Sequence, residues 1–249
     1  MMKKLLFALM LTTLAATASE PVYVGHRGCS RGVENTMASY LNGMDAYPWV
    51  ECDVRSTVDS VFVISHDENT ERVGGKLVIC ESTLADLKKE HYLQKRHGYT
   101  YQGQICTLAE LLDTCAARGK KAVIELKWTP GVNSNDTSRI PELIAKIRKH
   151  LPDSEYLILT SMKPCLEAVM AQYPEVNVQF LGGAKWKESL PWILEHKIDV
   201  DLIQGALTKE DVEMLHANGL KVNCWTVNDP VRAKELTEWG VDFITTDKL

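Results

Sequence analysis

Two histidines, three carboxylates and two cations fall where short apolar runs of this chain end or carry one polar face. His26-Arg27 follows residues 22–25, His66-Asp67 follows 61–65, and Glu125-x-Lys127 closes 122–126. Glu51-x-Asp53 lies inside 50–54. Residues two apart on a strand face one side, so Glu51 and Asp53 share a face while Val50, Cys52 and Val54 share the other. Glu51, Asp53 and Glu125 offer an open set of carboxylate oxygens suited to a hard divalent cation, Ca2+ or Mg2+, with water and ligand completing the shell. Arg27 and Lys127 carry the positive charge a phosphate needs. Histidine as a residue type has the pKa range for proton transfer near neutrality, which makes His26 and His66 candidates for it. Singly, each has a bland reading: a satisfied histidine, a solvated strand face, a surface lysine. Such readings would all have to hold together at one rim.

The elements that must bring these groups together alternate along the chain. Strand-like runs occupy 22–25, 50–54, 61–65, 122–126, 156–160, 176–181, 200–203, 221–226 and 242–245. Helical periodicity fills 36–46, 84–90, 108–118, 140–150, 163–172, 189–195, 209–217 and 230–238. Gly119, Gly219 and Gly240 each follow a helix, where a left-handed residue is wanted. Eight strand–helix units predict a closed TIM-type (β/α)8 barrel, whose chemistry sits at the C-terminal rim of the strands. The ninth strand, 61–65, is too close to 50–54 for a crossover helix, so the two form an extra antiparallel hairpin after the second strand. A turn centred between Val58 and Asp59 would put Glu51 opposite His66. In the barrel the apolar face of 50–54 packs under helices, which leaves Glu51 and Asp53 inside; buried carboxylates are costly, and a bound cation is the readiest remedy.

Residues 1–18 carry Lys3-Lys4, an apolar run and Ala16-Thr17-Ala18, the pattern of a secretory signal peptide. Export follows, to the periplasm or outside the cell, with residues 19–249 as one domain. Removing the leader takes two of the 28 basic residues, leaving 26 against 33 acidic ones and a net charge of −7. That balance, with no basic block, excludes nucleic acid as a natural partner. No other segment is apolar enough to insert stably in a membrane. Seven cysteines form no CxxC pair and no zinc spacing, and are expected mostly as buried thiols.

His26-Arg27-Gly28, Glu34-Asn35-Thr36, Glu51-x-Asp53, His66-Asp67, Glu125-x-Lys127, Trp225-Thr226-Val227-Asn228 and Thr246-Asp247 resemble, in order and spacing, the glycerophosphodiester phosphodiesterase family, within the phospholipase-C-like phosphodiesterases. The resemblance spans nearly the whole chain after residue 18. It implies a TIM-like barrel that hydrolyses a small-molecule glycerophosphodiester to an alcohol and glycerol 3-phosphate with a divalent cation. It implies His26 and His66 as the acid/base pair, and Glu51, Asp53 and Glu125 as metal ligands. Arg27 and Lys127 would hold the phosphate, and Trp225 would wall the alcohol pocket. Cys106 stands where the family usually has proline, and Asp59-Ser60 replaces the common Asp-Gly turn; neither touches the proposed chemistry. Glu34-Asn35-Thr36 is expected to order the first loop rather than to react.

Two other functions fit parts of the pattern. A related phospholipase or sphingomyelinase-D-like lyase would act on intact lipids, and would need an apolar docking rim where residues 68–105 are mixed and charged. A non-catalytic phosphoester-binding barrel would need neither two histidines nor three carboxylates. Nucleophilic side chains are poorly supplied: Cys29 has no adjacent base. A glycerol phosphoester brings its own nucleophile, the hydroxyl beside the bridging oxygen, and the expected roles are His26 as base and His66 as acid.

Overall fold

The computed structural model describes residues 20–127 and 136–248. The leader segment 1–18 lies outside them. The chain begins with β1 (Val22–Gly25), α1 (Met37–Ala46), β2 (Trp49–Ser56) and β3 (Phe62–Ile64). A short helix α2 (Leu84–Leu87) and a hairpin of β4 (Tyr92–Arg96) and β5 (Tyr99–Gly103) follow. Then come α3 (Leu108–Arg118), β6 (Lys121–Leu126), α4 (Ile140–Ile147), β7 (Tyr156–Thr160), α5 (Lys163–Gln172) and β8 (Asn177–Gly182). The chain closes with α6 (Leu190–His196), β9 (Asp199–Ile203), α7 (Lys209–Ala217), β10 (Val222–Trp225), α8 (Pro230–Trp239) and β11 (Phe243–Thr246).

Eight of these strands are parallel neighbours in the order β1-β11-β10-β9-β8-β7-β6-β2, and β1 pairs with β2 to close the ring. The fold is therefore a TIM-type barrel, with β3 bonded antiparallel outside β2 as the extra hairpin strand. The hairpin register differs by one residue from the sequence expectation. Val54 pairs with Ile64 and Ser56 with Phe62, so the turn centres on Asp59, and Glu51 is not opposite His66. The cause is local chemistry. Thr57 Oγ1 donates to Asp59 Oδ1 and accepts from Val61 N–H, and Ser60 takes a left-handed φ of 63°. Those bonds set a five-residue loop instead of a symmetric four-residue turn.

Alternation within the strands separates two environments. Val50, Cys52 and Val54 are buried in one cluster with Tyr40 and Met44 of α1 and Leu108, Leu111 and Leu112 of α3. Phe180, Val200, Leu202, Val222, Cys224 and Ile244 do the same beneath α6, α7 and α8. Inside the barrel, Val24, Val123, Leu157 and Leu159 form a separate apolar plug with Trp49, Leu181 and Phe243 packed on it. Helix ends follow from sequence: Thr107 and Glu110 form a capping box on α3, and Gly119 ends it at φ 60°. All seven cysteines are free; Cys80 alone among them is not buried.

The β4–β5 hairpin was not expected from the sequence. It turns at His97-Gly98, both with positive φ (48° and 85°), the signature of a tight two-residue turn. Its aromatic-polar alternation sits in a highly charged stretch, which masked the strand pattern.

Candidate active site

The first loop is shaped by backbone conformation. Arg27 adopts φ 51° and Gly28 φ 89°; a Cβ on Gly28 would lie 2.4 Å from Ser39 Oγ. Ser39 on α1 fixes this loop, accepting from Cys29 N–H at 2.9 Å and lying 2.8 Å from the Arg27 carbonyl oxygen. Thus turned, Arg27 N–H donates to Glu51 Oε2 at 2.9 Å. Its guanidinium reaches Glu34 Oε1 at 3.0 Å and Asp53 Oδ2 at 3.3 Å. Asn35, itself left-handed at φ 59°, donates to Asp53 Oδ2 at 2.8 Å and accepts from Tyr40 Oη at 2.6 Å. Glu34-Asn35-Thr36 orders the loop and also grips the carboxylate of Asp53.

Parallel pairing of β2 with β6 sets Asp53 beside Glu125. Ligand oxygens of Glu51, Asp53 and Glu125 all lie within 4.8 Å of one another. Glu51 and Asp53 are 2% and 0% exposed, and Glu51 Oε1 has no hydrogen-bond partner among the described residues. Lys127 Nζ stands 2.6 Å from Glu125 Oε1 and 3.2 Å from Asp53 Oδ1. Burial, with Asp53 and Glu125 nearby, pushes the Glu51 carboxyl well up. Burial and Asp53 push Glu125 up to about 7. Burial would raise Asp53 too, but Lys127 and Arg27 hold it well below the carboxylate range. Three clustered carboxylates share too little positive charge, and one orphaned oxygen is aimed among them. That donor set fits a hard divalent cation.

His26 Nδ1 lies 3.0 Å from Asp247 Oδ1, and Asp247 is further held by Asn228 Nδ2 at 2.7 Å and Arg96 Nη2 at 3.2 Å. Burial alone would raise Asp247, yet the bonds from His26 and Asn228 and the Arg96 charge keep it well below its ordinary value. His66 Nδ1 lies 2.8 Å from Asp67 Oδ1, with Arg72 against the same pair, and Arg55 Nη2 donates to the His66 carbonyl at 2.7 Å. Burial, and then Arg27 and Lys127, lower the His66 pKa against the pull of Asp53 and Asp67. In each pair a carboxylate fixes Nδ1 and leaves Nε2 for a ligand.

One cavity collects nearly the whole set. His26, Arg27, Glu51, His66, Glu125, Lys127 and Trp225 line it, with Leu159, Leu181, Asp201 and Thr245 completing the wall. A model of the Glycerophosphoryl diester phosphodiesterase family matches residues 26–249. The chain belongs to that family. It is 29% identical to a Bacillus subtilis glycerophosphodiester phosphodiesterase, over 90% of this chain and 82% of the relative. A Caldanaerobacter subterraneus glycerophosphodiester phosphodiesterase is 27% identical, over 90% of this chain and 93% of the relative. Among solved structures, an Oleispira antarctica phosphodiesterase in complex with the product sn-glycerol-3-phosphate matches at TM-score 0.76 and 27% identity, covering 91% of this chain and 93% of that one. A structure from Silicibacter pomeroyi reaches TM-score 0.82 at 23% identity, covering 92% and 90%, a likeness of fold.

All eight residues singled out in the sequence meet around this cavity in the phosphodiesterase barrel, Asp53 from behind Glu51 and Glu125. Four others escaped notice or were given no role. Asp247 belonged to a motif, but its contact with His26 needs the closed barrel. Arg96 and Arg72 come from segments whose path the sequence did not reveal. Asp201 had a visible signal: Asp199-x-Asp201 repeats the alternation of Glu51-x-Asp53, with Val200 and Leu202 on the apolar face.

Proposed function

We propose that this protein hydrolyses glycerophosphodiesters to an alcohol and glycerol 3-phosphate, using a divalent cation and histidine acid/base catalysis. The observation that carries the reading is two histidines, each held at Nδ1 by a carboxylate, facing one cavity with Arg27, Lys127 and a carboxylate trio. Family membership and the product-bound Oleispira antarctica relative support the substrate class.

Arg27 and Lys127 bind the phosphodiester and offset charge on its equatorial oxygens. Glu51, Asp53 and Glu125 would hold the cation, which when bound supplies a further compensating charge beside the phosphate. His26 Nε2 takes the proton of the substrate hydroxyl beside the bridging oxygen, and the hydroxyl oxygen bonds to phosphorus. His66 protonates the departing alcohol oxygen as its bond to phosphorus breaks. Water then opens the cyclic phosphodiester with the histidine roles reversed, giving glycerol 3-phosphate. Tethering the nucleophile to the substrate removes the entropic cost of bringing two molecules together. Trp225, at the end of β10 beside β9, walls the cavity on that side.

Export is part of the proposal: residues 1–18 would direct the chain to the periplasm or beyond, leaving one catalytic domain. Among the described residues no helix is long and apolar enough to cross a membrane. The test is hydrolysis of a panel of glycerophosphodiesters, with one member lacking the neighbouring hydroxyl. Release of glycerol phosphate from the panel and resistance of the deoxy member are expected. No release from any member defeats the activity, and rapid cleavage of the deoxy member defeats the intramolecular attack. A cyclic phosphate as the final product would instead identify a lyase.

A further inference from the structure

One buried acid in the cavity has no task in the chemistry above. Asp201 lies on β9, the fourth strand from β2 in either direction round the barrel, so it stands across the cavity from Glu51 and Asp53. It is 2% exposed, and its Oδ1 has no hydrogen-bond partner among the described residues. Its neighbours cannot be summoned to satisfy it. By strand register it is flanked by Leu181 and Asn223, and Leu181 is apolar. Asn223 instead donates to Gln179 Oε1 at 3.4 Å and accepts from Thr245 Oγ1 at 3.2 Å. Asn223, Gln179 and Thr245 therefore engage one another and leave the acid alone.

A buried carboxyl without a partner is costly and gives the empty fold nothing in return. Burial, and then the Glu125 charge, push this carboxyl well up and disfavour its charged form, while its unpaired Oδ1 can accept a hydrogen bond. That chemistry complements a hydroxyl rather than a phosphate or an ammonium. Depth selects which hydroxyl. With the phosphate between Arg27 and Lys127, the variable alcohol must leave past His66, whose side chain is 30% exposed. The part of the substrate pointing the other way, toward β9, is the glycerol.

We infer that Asp201 is a specificity-determining residue that recognises the terminal hydroxyl of the substrate's glycerol. The inference deepens the phosphodiesterase reading and rests on it. It separates two hydroxyls: the one beside the bridging oxygen reacts, and the terminal one is read by Asp201. Diesters in which that terminal position is acylated or reduced are excluded at this wall.

The experiment compares kcat/KM for glycerophosphoethanolamine and for its analogue lacking only the terminal hydroxyl, in the full-length wild type and in Asp201 variants. The wild type is expected to favour the glycerol diester on the order of 10²-fold, because the analogue leaves the acid unpaired. Asp201→Leu removes the acid and should bring the ratio to about one or below by losing rate on the glycerol diester and keeping it on the analogue. Asp201→Asn keeps a hydrogen-bonding group and should retain most of the preference. An apolar side chain of similar volume replaces an unpaired carboxyl, so Asp201→Leu should melt no earlier than wild type; if it fails to fold, Asp201→Ala carries the same comparison. An unchanged ratio in the folded Leu or Ala variant, with both substrates turned over, overturns the role of Asp201 alone. Hydrolysis of neither substrate by wild type overturns the phosphodiesterase reading and this inference with it.

Discussion

Asp247 accepts the Nδ1 proton of His26 across 221 residues of sequence, at 3.0 Å. The aspartate is ionised and can only accept, so the hydrogen bond fixes the tautomer that leaves Nε2 free as a base. The same carboxylate is gripped by Asn228 from the loop after β10 and by Arg96 from the β4–β5 hairpin. Three separate segments therefore aim one imidazole.

Asp247→Asn should leave the fold intact and lower kcat by roughly 10²–10⁴-fold, since an amide can present its N–H to Nδ1 and favour the wrong tautomer. Steady-state kinetics with circular dichroism checks both halves. A kcat near wild type would make the contact architectural only.

His26→Ala and His66→Ala should each lower turnover by about 10²–10⁴-fold, the usual worth of general acid/base catalysis. The double variant should be little worse than either single, because in the proposed mechanism the two act together in each step. Additive losses would mean that the histidines work in separate steps, and an active single variant would remove that histidine from the mechanism.

Chelation should abolish activity, and Ca2+ or Mg2+ should restore it, since Glu51, Asp53 and Glu125 converge with Glu51 Oε1 unpaired among the described residues. Added cation should also raise the melting temperature; at a concentration 100 times Kd the gain is about 2.7 kcal/mol. Glu51→Ala should lose both the rescue and the thermal shift. Full turnover of chelated protein would refute the metal assignment.

Stability of the metal-free protein should fall as pH rises through neutrality. Glu125 is raised from 4.5 to about 7 by burial and Asp53. Its raised folded-state pKa means its contribution is complete below about 4.5 and lost as pH climbs through about 7. Ionisation sets it against Asp53, and Lys127 offsets part of that repulsion. Melting in chelator should therefore occur at lower temperature at about pH 8 than at about pH 5, and saturating cation should cancel the drop. A melting temperature in chelator that is flat or rising over that window would contradict this electrostatic account.

The sequence by itself determined the barrel and the carboxylate trio. Period-two alternation leaves no choice in β2: once Val50, Cys52 and Val54 pack beneath α1 and α3, Glu51 and Asp53 must point inward. Counting strands against crossover helices likewise required eight parallel strands and one outside. Tertiary structure decided what depends on contacts between distant segments. The hairpin register moved by one residue because Thr57, Asp59 and Ser60 formed a loop whose side-chain bonds no periodicity encodes. Arg96 reaches Asp247 only because the β4–β5 hairpin folds back over the rim. Asp201 illustrates the division within one residue. Its inward direction was legible in the alternation of 199–202, but its isolation was not, because that depends on Asn223 turning toward Gln179 and Thr245 instead. Sequence periodicity sets which way a side chain points; only the closed barrel sets what waits there to meet it.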